Sequence, residues 1–153
     1  MDEATLELLR SQSGLSIDLE GRLCHAGVPI THARTLEVLW GSLHRLPDGR
    51  YAVKVGREKG YVSVEDAPYG VRAVTLEAGG PVLHLTDGTR EVLDPRTLAL
   101  DREGVLHCRV KGGDHLARFG RSAQVDLGLL LEEDGGTGFV LRLEGKIYPL
   151  GRL

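Results

Sequence analysis

Cysteine is nearly missing: Cys24 and Cys108 are the two present in 153 residues, too few for the bridge framework of small secreted domains. Reduced thiols are the expected state, with one long-range bridge left open by sequence alone. No apolar run approaches the roughly 20 residues that a spanning helix needs. The start, Met1-Asp2-Glu3 followed by Thr5 to Arg10, lacks the basic segment and long apolar stretch of a signal peptide. A cytoplasmic location is therefore expected. An excess of positive charge is also lacking, with 19 Lys and Arg against 22 Asp and Glu and a formal charge of -3. Without a global positive field, neither nucleic acid nor an anionic membrane is expected as a partner.

Catalytic spacings are lacking as well. Cys24-His25 and His107-Cys108 are adjacent pairs on expected strands, where successive side chains point to opposite faces. His25, His32 and His44 could converge only through folding, and no Cys-x-x-Cys or His-x-x-x-His spacing supports zinc. No metal or other cofactor is expected. Gly-x-Ser-x-Gly does not occur, and Ser42 and His44 are two apart, so a helix would not set them face to face. Gly135-Gly136-Thr137-Gly138 lacks the lysine of a phosphate loop, and Gly145-Lys146-Ile147 lacks the hydroxyl that would hold magnesium. Both read as hairpin turns.

What the chain has is glycine, 21 in all, as many short strands joined by tight turns require. Apolar residues are 41%, enough for a core. The expectation is a mainly β (α+β) fold. After an N-terminal extension, residues 1–14, with a short helix over 3–10, Leu15 to Leu19 and Arg22 to His25 form a hairpin. Thr31 is the expected N-cap of one amphipathic helix near residues 32–45, on which Leu36, Leu39, Trp40 and Leu43 make the apolar stripe and Trp40 joins the core. Strands follow at 51–55, 61–65, 71–77, 82–85, 105–110, 115–119, 125–131 and 139–143, with a brief helical turn opened by Asp94-Pro95.

The two halves match. Asp48-Gly49 through Leu76-Glu77 aligns without a gap on Glu103-Gly104 through Leu131-Glu132, with Tyr51 on Leu106, Val53 on Cys108 and Val64 on Phe119. The hairpin at Ile17 to Leu23 resembles Leu83 to Glu91, and Gly79-Gly80 is echoed by Gly135-Gly136. We read two tandem, structurally similar β-rich motifs from an internal duplication, residues 15–80 with the helix and residues 81–153.

Ile17, Gly21, His25, Gly27, Pro29 and Ile30, then Leu36, Leu43, Gly49 and Tyr51, then Val62 with Val64-Glu65-Asp66-Ala67-Pro68-Tyr69 resemble the bacterial domain of unknown function 1285 family. The resemblance runs on through Ser122, Leu127 and Glu132 to Tyr148-Pro149-Leu150-Gly151. Two positions depart from it: Leu23-Cys24 stands where an aromatic commonly precedes the histidine, and Gly56-Arg57 replaces Thr-Pro. The resemblance implies a β-rich fold with repeated motifs, no established activity, and a suggested part in bacterial signal transduction.

Glu65 and Asp66 draw attention because their repeat partners are Gly120 and Arg121, so the duplicated scaffold does not demand two carboxylates. They either engage a ligand or partner, with Tyr69 and His25 beside them, or close a turn ahead of Pro68. Arg50, Lys54, Arg57 and Lys59 form a cationic hairpin that either faces an acidic partner or deters sheet-to-sheet pairing. The leading expectation is a non-catalytic binding or adaptor module for an unknown protein or small-molecule ligand. The alternatives are an enzyme using His25 with Glu65 or Asp66 as acid and base, and a self-assembling structural component.

Overall fold

The structure is a computed structural model that describes Thr5 and residues 14–136 and 138–153; the helix expected over residues 3–10 lies, Thr5 apart, outside them. The chain forms two compact units, residues 1–68 and 69–153. The strand that begins at Tyr69 thus packs with the residues after it, whereas the sequence repeat places it in the first motif, residues 15–80.

The first unit runs β1 (Leu15–Ile17), β2 (Leu23–His25), β3 (Val28–Pro29), α1 (Ala33–Ser42), β4 (His44–Arg45), β5 (Tyr51–Val55) and β6 (Glu58–Val64). Its sheet has the order β3-β2-β1-β6-β5-β4, with β1 and β6 parallel. The β1–β2 turn is set by Asp18, whose Oδ1 accepts from the N–H groups of Glu20 and Arg22, and by Gly21 at φ 78°, a value that costs glycine little. Helix α1 is capped by His32 rather than the expected Thr31: its Nδ1 accepts from the Thr35 N–H at 3.2 Å. The apolar stripe then does what its spacing implies. Leu39 is fully buried among Ile17, Leu23, Val53 and Val62, and Leu36, Trp40 and Leu43 are partly buried against the same core. Burying one leucine contributes about 2 kcal/mol, so this stripe outweighs the weak intrinsic stability of a ten-residue helix.

The second unit contains β7 (Tyr69–Glu77), β8 (Gly80–Leu85), β9 (Arg90–Val92), a 3₁₀ turn (Pro95–Thr97), β10 (Ala99–Leu100), β11 (Leu106–Val110) and β12 (His115–Phe119). After these come α2 (Arg121–Gly128), β13 (Leu131–Glu133), β14 (Phe139–Leu143), β15 (Lys146–Pro149) and β16 (Gly151–Arg152). As expected, Asp94 caps the 3₁₀ turn by accepting from the Arg96 N–H. One sheet has the order β16-β10-β11-β12-β7-β8-β9, and β13-β14-β15 form a separate meander.

The duplication is explicit in these orders. The first unit's β3-β2-β1-β6-β5-β4 is matched strand for strand by β9-β8-β7-β12-β11-β10, to which the second unit adds β16. The gap-free offset holds in detail: β4 and β5 recur 55 residues later as β10 and β11, and β5 and β11 share one burial pattern. Glu65 donates its N–H to Ile17 O as Gly120 does to Val71 O, closing the two parallel ladders alike.

Four expectations need correction. Tyr61 opposes Ala52, but Arg118, not Leu116, opposes His107, because the second hairpin turns through four residues, Lys111 to Asp114, instead of Gly56-Arg57. The slide is an even number of residues, so every side chain keeps its face. The hairpin at Ile17 corresponds to β7–β8 rather than to Leu83–Glu91, and Gly135-Gly136 belongs to the added meander. Finally, the strand expected at 125–131 is mostly helix α2, so the match ends at Glu65 and Gly120 instead of reaching Glu77 and Glu132.

Candidate functional site

Of the four residues singled out, Glu65, Asp66 and His25 belong to the first unit and Tyr69 opens the second. Glu65 sits just past β6, and its Oε2 accepts the Leu19 N–H at 3.1 Å. With its own N–H bonded to Ile17 O, Glu65 clamps the chain as β1 ends. Asp66 is exposed in the bend that leads to Pro68.

His25 lies at the other end of β1, opposite Leu15. Strand β1 lies between β2, which carries His25, and β6, which leads to Glu65, so the backbones of those two strands are about 10 Å apart across the sheet. The Glu65 carboxylate is turned to Leu19, past the end of β1, whereas His25 faces the start of β1. Nor do the histidines converge: His32 caps the start of α1 while His44 Nδ1 meets Ser42 O at its end, 2.8 Å apart. A ten-residue helix separates those ends by about 15 Å. Among the described residues, no three side chains of His, Cys, Asp or Glu gather as metal ligands.

What His25 does is line an open depression of about 320 Å³ with Val28, Pro29, Ile30, His32 and Thr35. Ala26-Gly27, both at positive φ, make the tight β2–β3 turn that brings Val28 back beside His25. Val28 is 66% exposed, so the depression presents an uncovered branched side chain next to two imidazoles.

Tyr69 is buried within the second unit. Its ring lies 5.5 Å from that of His115, and Lys111 Nζ stands 5.2 Å from its centroid. Lys111 gathers a polar cluster that sequence reading missed. Its Nζ donates to Asp87 Oδ2 at 2.6 Å and to Thr89 Oγ1 at 2.8 Å, and its backbone N–H donates to both oxygens of Glu91. Burial opposes the charge of Asp87, yet hydrogen bonds from Lys111 and Thr89 prevail and hold its carboxyl below the usual range. Lys111 adopts φ 57°, which in a lysine was the signal of a special position, but φ cannot be read from sequence.

The cationic hairpin is real: Lys54 and Lys59 oppose each other across β5–β6, and Arg50 stacks on Tyr61 at 4.5 Å. Both cysteines are buried free thiols. Burial pushes Cys108 up to about 12 and also raises Cys24, so neither supplies a thiolate nucleophile at neutral pH. Among the described residues no helix is long and apolar enough to cross a membrane.

No protein-family model matches the chain, and no curated protein does. Two solved structures do. A DUF1285 family protein from Silicibacter pomeroyi DSS-3 superposes with a TM-score of 0.70 at 21% identity, over 91% of this chain and 80% of that one. A second, from Shewanella baltica OS155, gives 0.59 at 19% identity over 75% of this chain and 90% of its own. The likeness is one of architecture: the duplicated, mainly β chain described above has the fold of the DUF1285 family proteins.

Proposed function

We propose that this chain is a non-catalytic binding module whose first unit receives apolar side chains of a protein partner in the depression beside His25. The observation that supports it is the uncovered Val28, with Pro29 and Ile30, at a sheet edge only two residues long. Such an edge is too short to template strand pairing, which favours side-chain docking over self-assembly through strands. The separation of His25 from Glu65 weighs against the enzymatic reading. Recruitment of a partner is also what a place in cytoplasmic bacterial signalling would ask of a module without chemistry of its own.

The test is a photocrosslinking amino acid placed at Val28, with a second chain carrying it at exposed Leu129 as the control, followed by purification of whatever is captured. A protein crosslinked at Val28 but not at Leu129, whose affinity for the purified chain falls about tenfold with Ile30→Glu, supports the reading. Equal yields at both positions, or unchanged affinity in that variant, overturns it.

A further inference from the structure

Among the described residues, the second unit has parts the first lacks: β16 beside β10, and the β13–β14–β15 meander. Where they meet the turn after β10 there is a cleft of about 210 Å³. Leu100, Phe139 and Leu150 give it an apolar lining, and Arg102 and Arg152 also line it. The register explains the grouping. Arg152 pairs with Leu100 across the parallel β10–β16 ladder, and paired residues share a face of the sheet. Arg102 follows Leu100 by two residues, in a turn held by Asp101, whose Oδ1 accepts the N–H groups of Glu103 and Val105.

Charge is distributed unevenly around this cleft. Arg22, Arg50, Arg90, Arg96 and Arg142 each rest on a carboxylate, whereas among the described residues neither Arg102 nor Arg152 has one. Asp101 also lines the cleft, but it is occupied by its turn and lies 4.0 Å from Arg118. The shared scaffold does not require either cation. The residue equivalent to Arg102 in the first unit is Pro47, and among the described residues β4, the counterpart of β10, is an edge strand with nothing in the place of Arg152.

We propose that this cleft binds a small organic anion: a carboxylate or phosphate monoester carried on an apolar body about the size of one aromatic ring. The size follows from volume, since a dry cavity of about 150 Å³ holds benzene. The charge follows from two guanidinium groups, which meet carboxylate and phosphate oxygens with paired hydrogen bonds. The site lies in a different unit from the depression at His25 and does not depend on it.

Titration of the full chain with benzoate, phenyl phosphate, benzamide and inorganic phosphate, followed by amide NMR shifts, tests the proposal. Benzoate or phenyl phosphate should bind in the millimolar range and shift the amides of Leu100, Phe139 and Arg152, while benzamide and inorganic phosphate bind at least about tenfold more weakly. Arg102→Gln and Arg152→Gln should each weaken the anion about tenfold with unfolding curves unchanged, and Arg57→Gln should not. Equal binding of benzoate and benzamide, equal binding of the two phosphates, full affinity in both arginine variants, or no shift at these amides would overturn it.

Discussion

Ser42 and Thr97 do the same work in the two repeats. Ser42 Oγ accepts the Lys54 N–H at 3.3 Å and Thr97 Oγ1 accepts the Arg109 N–H at 3.0 Å, and each hydroxyl also donates to the carbonyl three residues before it. In both units a helical element ends on a hydroxyl residue that satisfies an amide of the fifth strand in the motif, where the two-residue strand beside it has stopped. The hydroxyl stands in for a missing ladder bond.

Thr97→Val removes that acceptor while keeping the shape of the side chain, so it should cost about 1–2 kcal/mol in urea unfolding. Thr97→Ser should recover most of the loss. Equal stabilities of the valine and serine variants would show that the hydroxyl contributes nothing.

Glu65 makes a different prediction from the one its charge invites. Its carboxylate holds the Leu19 N–H, so Glu65→Ala should cost about 1 kcal/mol and speed hydrogen exchange at Leu19 more than at amides of the β5–β6 ladder. Glu65→Gln keeps an acceptor and should protect Leu19 nearly as well. Unchanged exchange at Leu19 in the alanine variant would return Glu65 to the list of ligand-binding candidates.

Much of the frame was legible because hairpins advertise themselves. The turns at Asp18, Asp48, Asp87 and Asp101 each carry an aspartate that accepts backbone N–H groups and a glycine at positive φ, and the offset between repeats follows from Gly49 and Gly104 with the apolar positions after them. Two things were hidden. The pairing slide between the repeats depends on how the Lys111–Asp114 turn closes, and a slide of two residues leaves the alternation of faces unchanged. The cluster around Lys111 joins residues from three strands and turns, none of which carries a local motif. Of the candidate site, sequence could not tell that Glu65 is tied to Leu19, since that contact spans 46 residues.

The Lys111–Asp87 pair should appear in the pH dependence of stability. Folding lowers the Asp87 carboxyl from its ordinary 3.8, so the unfolded chain takes up that proton at higher pH than the folded one. Its stabilisation is complete above the ordinary carboxylate range and is lost as pH falls through the lower folded value. Asp87→Asn should therefore cost about 2 kcal/mol near neutrality, less than a fully buried pair because Lys111 is 28% exposed. The gap between wild type and variant should narrow steadily below pH 4 in urea titrations at fixed ionic strength. A gap independent of pH would mean that the asparagine loses packing and not charge.

Helix α2 gives the sharpest check of the architecture, because its sequence reads equally well as a strand. Val125, Leu127, Leu129 and Leu131 recur every second residue, the period of a half-buried strand. The fold instead buries Ala123 and Leu127 completely, four residues apart, and leaves Val125 at 60% and Leu129 at 81% exposure. A strand would send residues 125, 127, 129 and 131 to one face together; the helix separates them. Leu127→Ala should therefore cost about 3 kcal/mol, whereas Val125→Thr and Leu129→Gln should each change stability by less than about 0.5 kcal/mol. Comparable losses at all three positions would restore the strand and remove the helix that packs on β7.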